Sequence, residues 1–332
     1  MAQERLAFTF RECLGAGGFG EVYLASQHTA GGIKRLVAVK VLSGEFDDDS
    51  DAVRRLRDEG QILAMLAHPA ILGVHQFTRV NNRLALVTEY VEGFDLGSFC
   101  APDTLMPPRA AVGIVGVVAD ALDFAWRTHH PETGRPLHLI HRDIKPENIR
   151  LSLTGQVKLL DFGIARTTEM TRQAKTAMGD VLMTPGYGAP EALAFGVTGP
   201  KVDVYALGAT LFRMLQGERF YGKRPIEFHL ALALDTQDYA EFLAERLARV
   251  RHGATRDLLS SMMAHAPEHR PSAGSVCEQS ETIVNRMGGP TYAQWTREYH
   301  APAHEPSNVS SPLEGMSLTS AGEVVNSGSL GA

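Results

Sequence analysis

The stretch HRDIKPENIRLSLTGQVKLLDFG, residues 141–163, packs two aspartates, two lysines and one asparagine around a short apolar hairpin. It lies where the hydrophobic pattern of the chain changes. Upstream, from Phe8 to Val41, the runs LGAGGFGEVYLA and RLVAVKVL are short, β-rich and interrupted by glycine, which reads as antiparallel strands joined by turns. Within DDDSDAVRRLRDEGQILAML, Val53, Leu56, Gly60, Leu63 and Leu66 recur at helical spacing behind an Asp/Ser start. Two further strand-like runs, ILGVHQFTRV and RLALVTEYV, meet at Asn81 and Asn82, a good turn pair. Beyond Ala110 the pattern turns helical, in AAVGIVGVVADALDFAW, DVYALGATLFRMLQG, EFLAERLARV and RDLLSSMMAHA. Strands first and helices later imply an α+β chain with a β-rich lobe, 1–91, and an α-rich lobe, 92–290. Residues 291–332 form a C-terminal extension, and its Ser, Gly, Pro and Asn content makes disorder the expectation from about 301.

Gly15, Gly17 and Gly20 form a GxGxxG, which tight turns and dinucleotide sites also use. The residues after the third glycine discriminate. A dinucleotide site passes from the glycines into a helix, whereas EVYLA continues as a strand, so the expected product is a hairpin whose backbone amides cover phosphates. On the next strand, alternation puts Val37 and Val39 on one face and Ala38 and Lys40 on the other. Lys40 can reach phosphate oxygens, Ala38 leaves room for a flat ring, and Glu59 on the helix is the expected partner of the Lys40 ammonium.

Asp143 and Asp161 beside a triphosphate would repel it by about 4 kcal/mol per close pair at an effective dielectric near 20. Two lysines cannot balance that, and a divalent metal can. Asp161 and the neutral acceptor Asn148 offer the oxygen ligands Mg²⁺ prefers.

HRDIKPEN, DFG, the glycine loop, VAVK and TPGYGAPE stand in the order of the protein kinase signature set. From about Phe8 to about Met287 the chain resembles a bacterial, eukaryotic-like serine/threonine protein kinase. The resemblance implies the two-lobed kinase fold, ATP and Mg²⁺ as cofactors, and a protein substrate with a Ser/Thr acceptor, the chain itself included by autophosphorylation. It implies Asp143 as the base that accepts or orients the substrate hydroxyl proton, Lys145 as neutraliser of the moving phosphoryl, and Asn148 and Asp161 as the metal ligands. Lys40, paired with Glu59, would grip the α- and β-phosphates under the lid of Gly15, Gly17 and Gly20, with Leu14, Val22 and Ala38 around the nucleotide. Glu89 to Val91 resembles the adenine-binding hinge after Thr88, and Asp95 falls where the family binds ribose. Lys145 and Thr184, the latter in TPGYGAPE, imply serine or threonine as acceptor. Glu191 with Arg270 matches a buried ion pair and Asp203 the anchor of the catalytic loop. Leu63, Val74, His141 and Phe162 match an apolar spine.

Some positions depart from that pattern. Arg150 stands where the family has a leucine under adenine; its stem is expected along the ring, with the guanidinium in solvent or stacked as a cation. Arg142, before Asp143, calls for a negative partner from the activation segment. Thr176 is the threonine best placed for phosphorylation, and Asp180, four before Thr184, stands where relatives carry the phosphorylated residue. Glu147 is a candidate for favouring basic residues near the target. The segment HHPETGRPLHLI, 129–140, is assigned no role, and its histidines fit no compact metal site.

Composition bounds the alternatives. The chain has 332 residues, a 44% apolar content and a net charge of −6, with no basic run to follow a phosphate backbone, so nucleic acid is not expected as a partner. Three scattered cysteines, Cys13, Cys100 and Cys277, match neither a disulfide framework nor a metal spacing, and a reducing cytoplasm is the expected location. No segment has the apolar length of a membrane span. A catalytically silent nucleotide-binding scaffold and a small-molecule kinase are the rival readings. The complete set of polar groups speaks against the first and TPGYGAPE, a shelf for a peptide, against the second.

Overall fold

The computed structural model describes residues 7–17, 20–29, 32–42, 60, 63–81, 83–162, 184, 186–299 and 313–319. Five strands open the chain: β1 (Ala7–Gly17), β2 (Gly20–His28), β3 (Lys34–Leu42), β4 (Val74–Val80) and β5 (Arg83–Glu89). They pair antiparallel in the order β4-β5-β3-β2-β1. Alternation works as the sequence implies: Val37, Val39 and Val41 are fully buried with Phe8, Phe10 and Tyr23 in the core of this lobe, whereas Ala38 and Lys40 line a cavity on the other face. Asn81 turns β4 into β5 at φ 48°, a left-handed conformation that asparagine tolerates. The expected helix around 53–66 falls largely outside the described residues.

Two short segments come next, β6 (Gly93–Asp95) and then, within 141–163, the hairpin β7 (Ile149–Ser152) and β8 (Val157–Leu159). They form a three-stranded sheet in the order β6-β7-β8. The second lobe is helical: α1 (Pro108–Arg127), α2 (Pro190–Phe195), α3 (Pro200–Gln216), α4 (Ile226–Leu234), α5 (Thr236–Leu247), α6 (Gly253–Met262), α7 (Ala273–Arg286) and α8 (Tyr292–Glu298). Proline at the first turn of α1, α2 and α3 supplies a preset φ where no amide bond is lost. Helix α3 is buried along nearly its whole length, so it is the hydrophobic axis of the lobe and the rigid support of the loop 141–148. Among the described residues, no helix is long and apolar enough to cross a membrane.

The C-terminal extension departs from expectation. A ninth strand, β9 (Ser317–Thr319), pairs antiparallel with β1 and becomes the sixth strand of the first sheet. Leu313 and Leu318 enter that lobe's core at 3% and 0% exposure, and Phe10 N donates to Met316 O at 2.9 Å. The expectation of disorder from about 301 therefore fails at 313–319. Composition misled there because three apolar residues among polar ones suffice once a free sheet edge provides the backbone partners.

Candidate functional site

A cavity of about 330 Å³ lies where the two lobes meet, walled by Leu14, Val22, Ala38 and Lys40 of the first sheet and by Leu159 and Asp161 at the end of the β7–β8 hairpin. Register explains the upper wall, since Val22 faces Lys40 across β2–β3 and Lys40 faces Leu86 across β3–β5. Gly15 also lines the cavity. Gly17 pairs with Gly20 where the hairpin closes, and Gly20 has φ 135° with Val41 O only 2.0 Å from where a Cβ would stand. That position admits glycine alone.

The hairpin and β3 bring Lys40 and Asp161 together across 121 residues: Lys40 Nζ donates to Asp161 Oδ1 at 2.7 Å. Glu59, the expected partner of Lys40, lies outside the described residues. Asp143 is the other centre. Its Oδ2 accepts from Lys145 Nζ at 2.8 Å and Asn148 Nδ2 at 3.0 Å, and its Oδ1 accepts from the Thr184 hydroxyl at 2.7 Å. Lys145 Nζ also reaches Thr184 Oγ1 at 3.2 Å. Because Asn148 Nδ2 donates in addition to the Asp143 carbonyl at 2.8 Å, the amide is oriented and its oxygen is the atom left for a cation. A carboxylate at 161 and an amide oxygen at 148 are the hard-oxygen donors that suit Mg²⁺.

The loop bearing Asp143 is strained and anchored. Arg142 and Asp161 have φ 67° and 52°, left-handed conformations that cost non-glycine residues about 1–3 kcal/mol each. Asp203 of α3, 3% exposed, offsets the cost at Arg142 by accepting from His141 N at 2.7 Å and Arg142 N at 2.8 Å. His141, fully buried, bonds the Leu160 carbonyl at 2.7 Å and packs its ring 4.7 Å from Phe162. It is a packed, hydrogen-bonded histidine between the two charged loops, as the sequence suggests.

Burial pushes the Asp203 carboxyl up to about 6, with the nearby Asp143 charge adding to the shift, against the pull of the two backbone amides and Arg142. Only the ionised carboxylate accepts from both amides. We therefore expect turnover to rise with pH through about 6 and level off above it, and Asp203→Asn to abolish that limb while lowering turnover by roughly 10- to 100-fold, the worth of one buried acceptor. Stability runs the other way. The folded pKa lies above the ordinary value of 3.8, so this group's contribution to stability is complete below about 4 and is lost as pH rises through about 6. A limb that persists in Asp203→Asn would remove the assignment.

Thr88 to Val91 crosses from β5 toward the second lobe along the cavity, with Asp95 at the β6 end. The Glu89 side chain is occupied, accepting from Gly73 N at 2.7 Å and Lys158 Nζ at 2.6 Å, which leaves backbone groups to meet a base. Arg150 lines the cavity, as its place under the base implies, and its guanidinium has backbone partners that the sequence does not show. Its Nε donates to Val91 O at 2.6 Å and its Nη2 to Gly93 O at 2.8 Å, because β6 and β7 place Asp95 opposite Arg150 and the hinge carbonyls within reach. The Val91 carbonyl is thereby capped. In Arg150→Leu, ligands that donate an N–H to that carbonyl are expected to gain about tenfold in affinity, the worth of one hydrogen bond, while ATP affinity changes less than about threefold. Calorimetric titration with an aminopyrimidine and with ATP checks this, and equal shifts for both would refute the capping role.

Glu147 is likewise already engaged. Arg213 Nη1 donates to its Oε1 at 2.6 Å and to the Tyr187 hydroxyl at 2.5 Å, tying the catalytic loop to α3 and to the segment before α2. Sequence reasoning missed this triad, the Lys158–Glu89 pair and the direct contact of Thr184 with Asp143. Their partners lie 26 to 69 residues apart, and no local periodicity signals them. Thr176 and Asp180 lie outside the described residues. Glu191 and Arg270 pair through two bonds of 2.6 and 2.7 Å. In segment 129–140, His138 stacks on Trp126 at 4.3 Å.

Residues 8–280 match the family model described as the protein kinase domain. The chain belongs to the protein kinase family. Members generally use ATP with Mg²⁺. Among relatives, the chain is 39% identical over 215 residues to the serine/threonine-protein kinase PknJ of Mycobacterium tuberculosis, covering 64% of this chain and 34% of that protein. It is 33% identical over 204 residues to the serine/threonine-protein kinase PrkC of Bacillus subtilis, covering 61% and 29%. It thus spans about a third of the length of the curated relatives it matches. Among solved structures, the PknI kinase domain of Mycobacterium tuberculosis superposes with a TM-score of 0.57 at 28% identity, covering 83% of this chain and 95% of that one. The kinase-like order of motifs and the two-lobed α+β architecture agree with this membership.

Proposed function

We propose that this chain is an ATP- and Mg²⁺-dependent serine/threonine protein kinase, with lobes 1–91 and 92–290. The observation that carries the reading is the Asp143 carboxylate, held by Lys145, Asn148 and Thr184, together with a cleft in which Lys40 meets Asp161. Lys40 grips the α- and β-phosphates, and the hairpin of Gly15, Gly17 and Gly20 covers them. Leu14, Val22 and Ala38 enclose the base, backbone groups of Glu89 and Val91 bond it, and Asp95 takes the ribose. Asp143 orients a substrate hydroxyl and accepts its proton, and Lys145 stays cationic beside the moving phosphoryl. Asp161 and the Asn148 oxygen would hold the magnesium, which when bound neutralises phosphate charge and orients the donor. The serine/threonine-protein kinase names of the relatives and the Lys145–Thr184 contact support a serine or threonine acceptor. A cytoplasmic location agrees with the three free cysteines.

The deciding experiment incubates radiolabelled ATP and Mg²⁺ with wild type and Asp143→Asn, on a generic protein acceptor and on the chain itself. Label on serine or threonine in wild type alone supports the reading. Label on a sugar or antibiotic would replace it with a small-molecule kinase.

Regulation centres on Arg142. In the proposed scheme the Asp180 carboxylate supports basal activity, and phosphate on Thr176, with nearly two charges and three acceptor oxygens, supports full activity. After phosphatase treatment, Thr176→Ala should match wild type and Asp180→Asn should fall below it, by roughly tenfold for one charged bond. After autophosphorylation only Thr176→Ala should lag. Equal activity of all three proteins would refute the scheme.

A further inference from the structure

A second cavity, of about 640 Å³, lies between α1 and α7, bounded by the β7–β8 turn and the loop His68–Ala70. It shares no lining residue with the cleft, and its volume is that of a small-molecule site. Its apolar wall includes Val117, Val284 and the Tyr292 ring. Ser280, 1% exposed, lines it with a hydroxyl that has no hydrogen-bond partner among the described residues. A helical serine ordinarily bonds back to a carbonyl of the preceding turn, so this buried hydroxyl is costly unless something in the cavity meets it.

The charges lining this cavity have one sign left to offer. Lys158 is consumed by Glu89 at 2.6 Å. His68 places Nε2 3.1 Å from Asp120 and accepts from Ala70 N at its Nδ1. Glu281 is in no ion pair among the described residues, and the Asp120 side chain remains 62% exposed. Cys277 faces the same acids: burial first, then Asp120, Glu281, Glu278 and Asp123, push its thiol up, so it stays protonated and is no thiolate nucleophile.

We propose that this cavity is an effector site for a small organic cation with an apolar body. One N–H of the ammonium meets the Ser280 hydroxyl oxygen while the others face Glu281 and Asp120, and the body lies against Val117, Val284 and the face of Tyr292. The wall it would touch also serves the cleft. Successive residues of β8, Lys158 and Leu159, line the two cavities in turn, Lys158 holds the hinge residue Glu89, and Leu159 N bonds Ala70 O at 2.7 Å. Occupancy therefore bears on nucleotide affinity, and linkage makes the effect mutual.

The test is calorimetry on the nucleotide-free chain with 4-phenylbutylamine, its uncharged analogue 4-phenylbutanol, and 4-phenylbutyrate. The amine should bind at least tenfold more tightly than the alcohol, and the carboxylate should not bind. Glu281→Gln should remove most of the amine's advantage, and Val117→Phe, which fills the cavity, should remove binding altogether. Saturating amine should shift nucleotide affinity at least twofold. Equal binding of amine and alcohol, no binding of either, or full binding to Glu281→Gln would overturn the site. Glu281→Gln is an exposed, nearly isosteric change and keeps the test valid if Val117→Phe fails to fold. An unmoved nucleotide affinity would overturn the effector role. Because binding is read without phosphoryl transfer, a failure of the kinase reading would leave this result distinct.

Discussion

Replacing Asp143 by asparagine is expected to lower the rate of phosphoryl transfer at saturating ATP by about 10²–10⁴-fold, the usual worth of a positioned general base. The change is nearly isosteric, so the loop should keep its path, anchored as it is by Asp203 through the amides of His141 and Arg142. What changes is chemistry at one carboxylate. An amide accepts no proton, and its NH₂ would face the ammonium of Lys145 or the amide of Asn148, both donors to Asp143 Oδ2. Nucleotide affinity should stay within about threefold, because the contacts proposed for base and phosphates lie elsewhere, at the hinge and Lys40. Comparing single-turnover rates with the dissociation constant of ATP separates the two effects. A parallel loss of affinity would make Asp143 a ground-state contact, and an unchanged rate would remove it from the chemistry.

Arg270→Ala should cost about 3–5 kcal/mol of folding stability, the usual consequence of leaving one member of a buried pair alone. The residue is 2% exposed, and its donors are all used: Nε to Ala264 O, Nη1 to Glu191 Oε1 and Lys201 O, Nη2 to Glu191 Oε2 and His265 O. Its guanidinium also lies 5.0 Å from the Tyr205 ring centre, on α3. Alanine strands the Glu191 carboxylate, whose side chain is only 11% exposed, and removes donors from three carbonyls. Thermal unfolding should show a midpoint lower by roughly 10 °C. The double variant Arg270→Met with Glu191→Met should recover part of this by removing the orphaned charge. A single-variant loss below about 1 kcal/mol would show that the pair contributes only orientation.

Much of the site was legible because the chemistry demands residue types at short, fixed spacings. Asp143, Lys145 and Asn148 lie close together along the chain, and their shared contacts arise from that proximity. Alternation alone put Ala38 and Lys40 on the cleft side of β3, and a glycine hairpin running into a strand excluded a dinucleotide site. Other features depend on residues that meet only after folding. Arg150 reads from sequence as a floor for the base, and only folding shows that its guanidinium also reaches the Val91 and Gly93 carbonyls. Glu147 has a partner that the sequence does not show, Arg213, 66 residues away. The strand at 317–319 hid inside a polar composition because its reason to be a strand is the edge of β1.

Sequence by itself determined which chemical groups the chain owns, their order, and the two-lobed division, because hydrophobic period and turn chemistry are local properties read within a few residues. Tertiary structure alone decided which charge meets which: Lys40 with Asp161, Lys158 with Glu89, Thr184 with Asp143, and the acids that share a cavity with Ser280. Electrostatic partners are chosen by distance and by the cost of leaving a buried group unmatched, and neither quantity exists until distant segments are packed against one another.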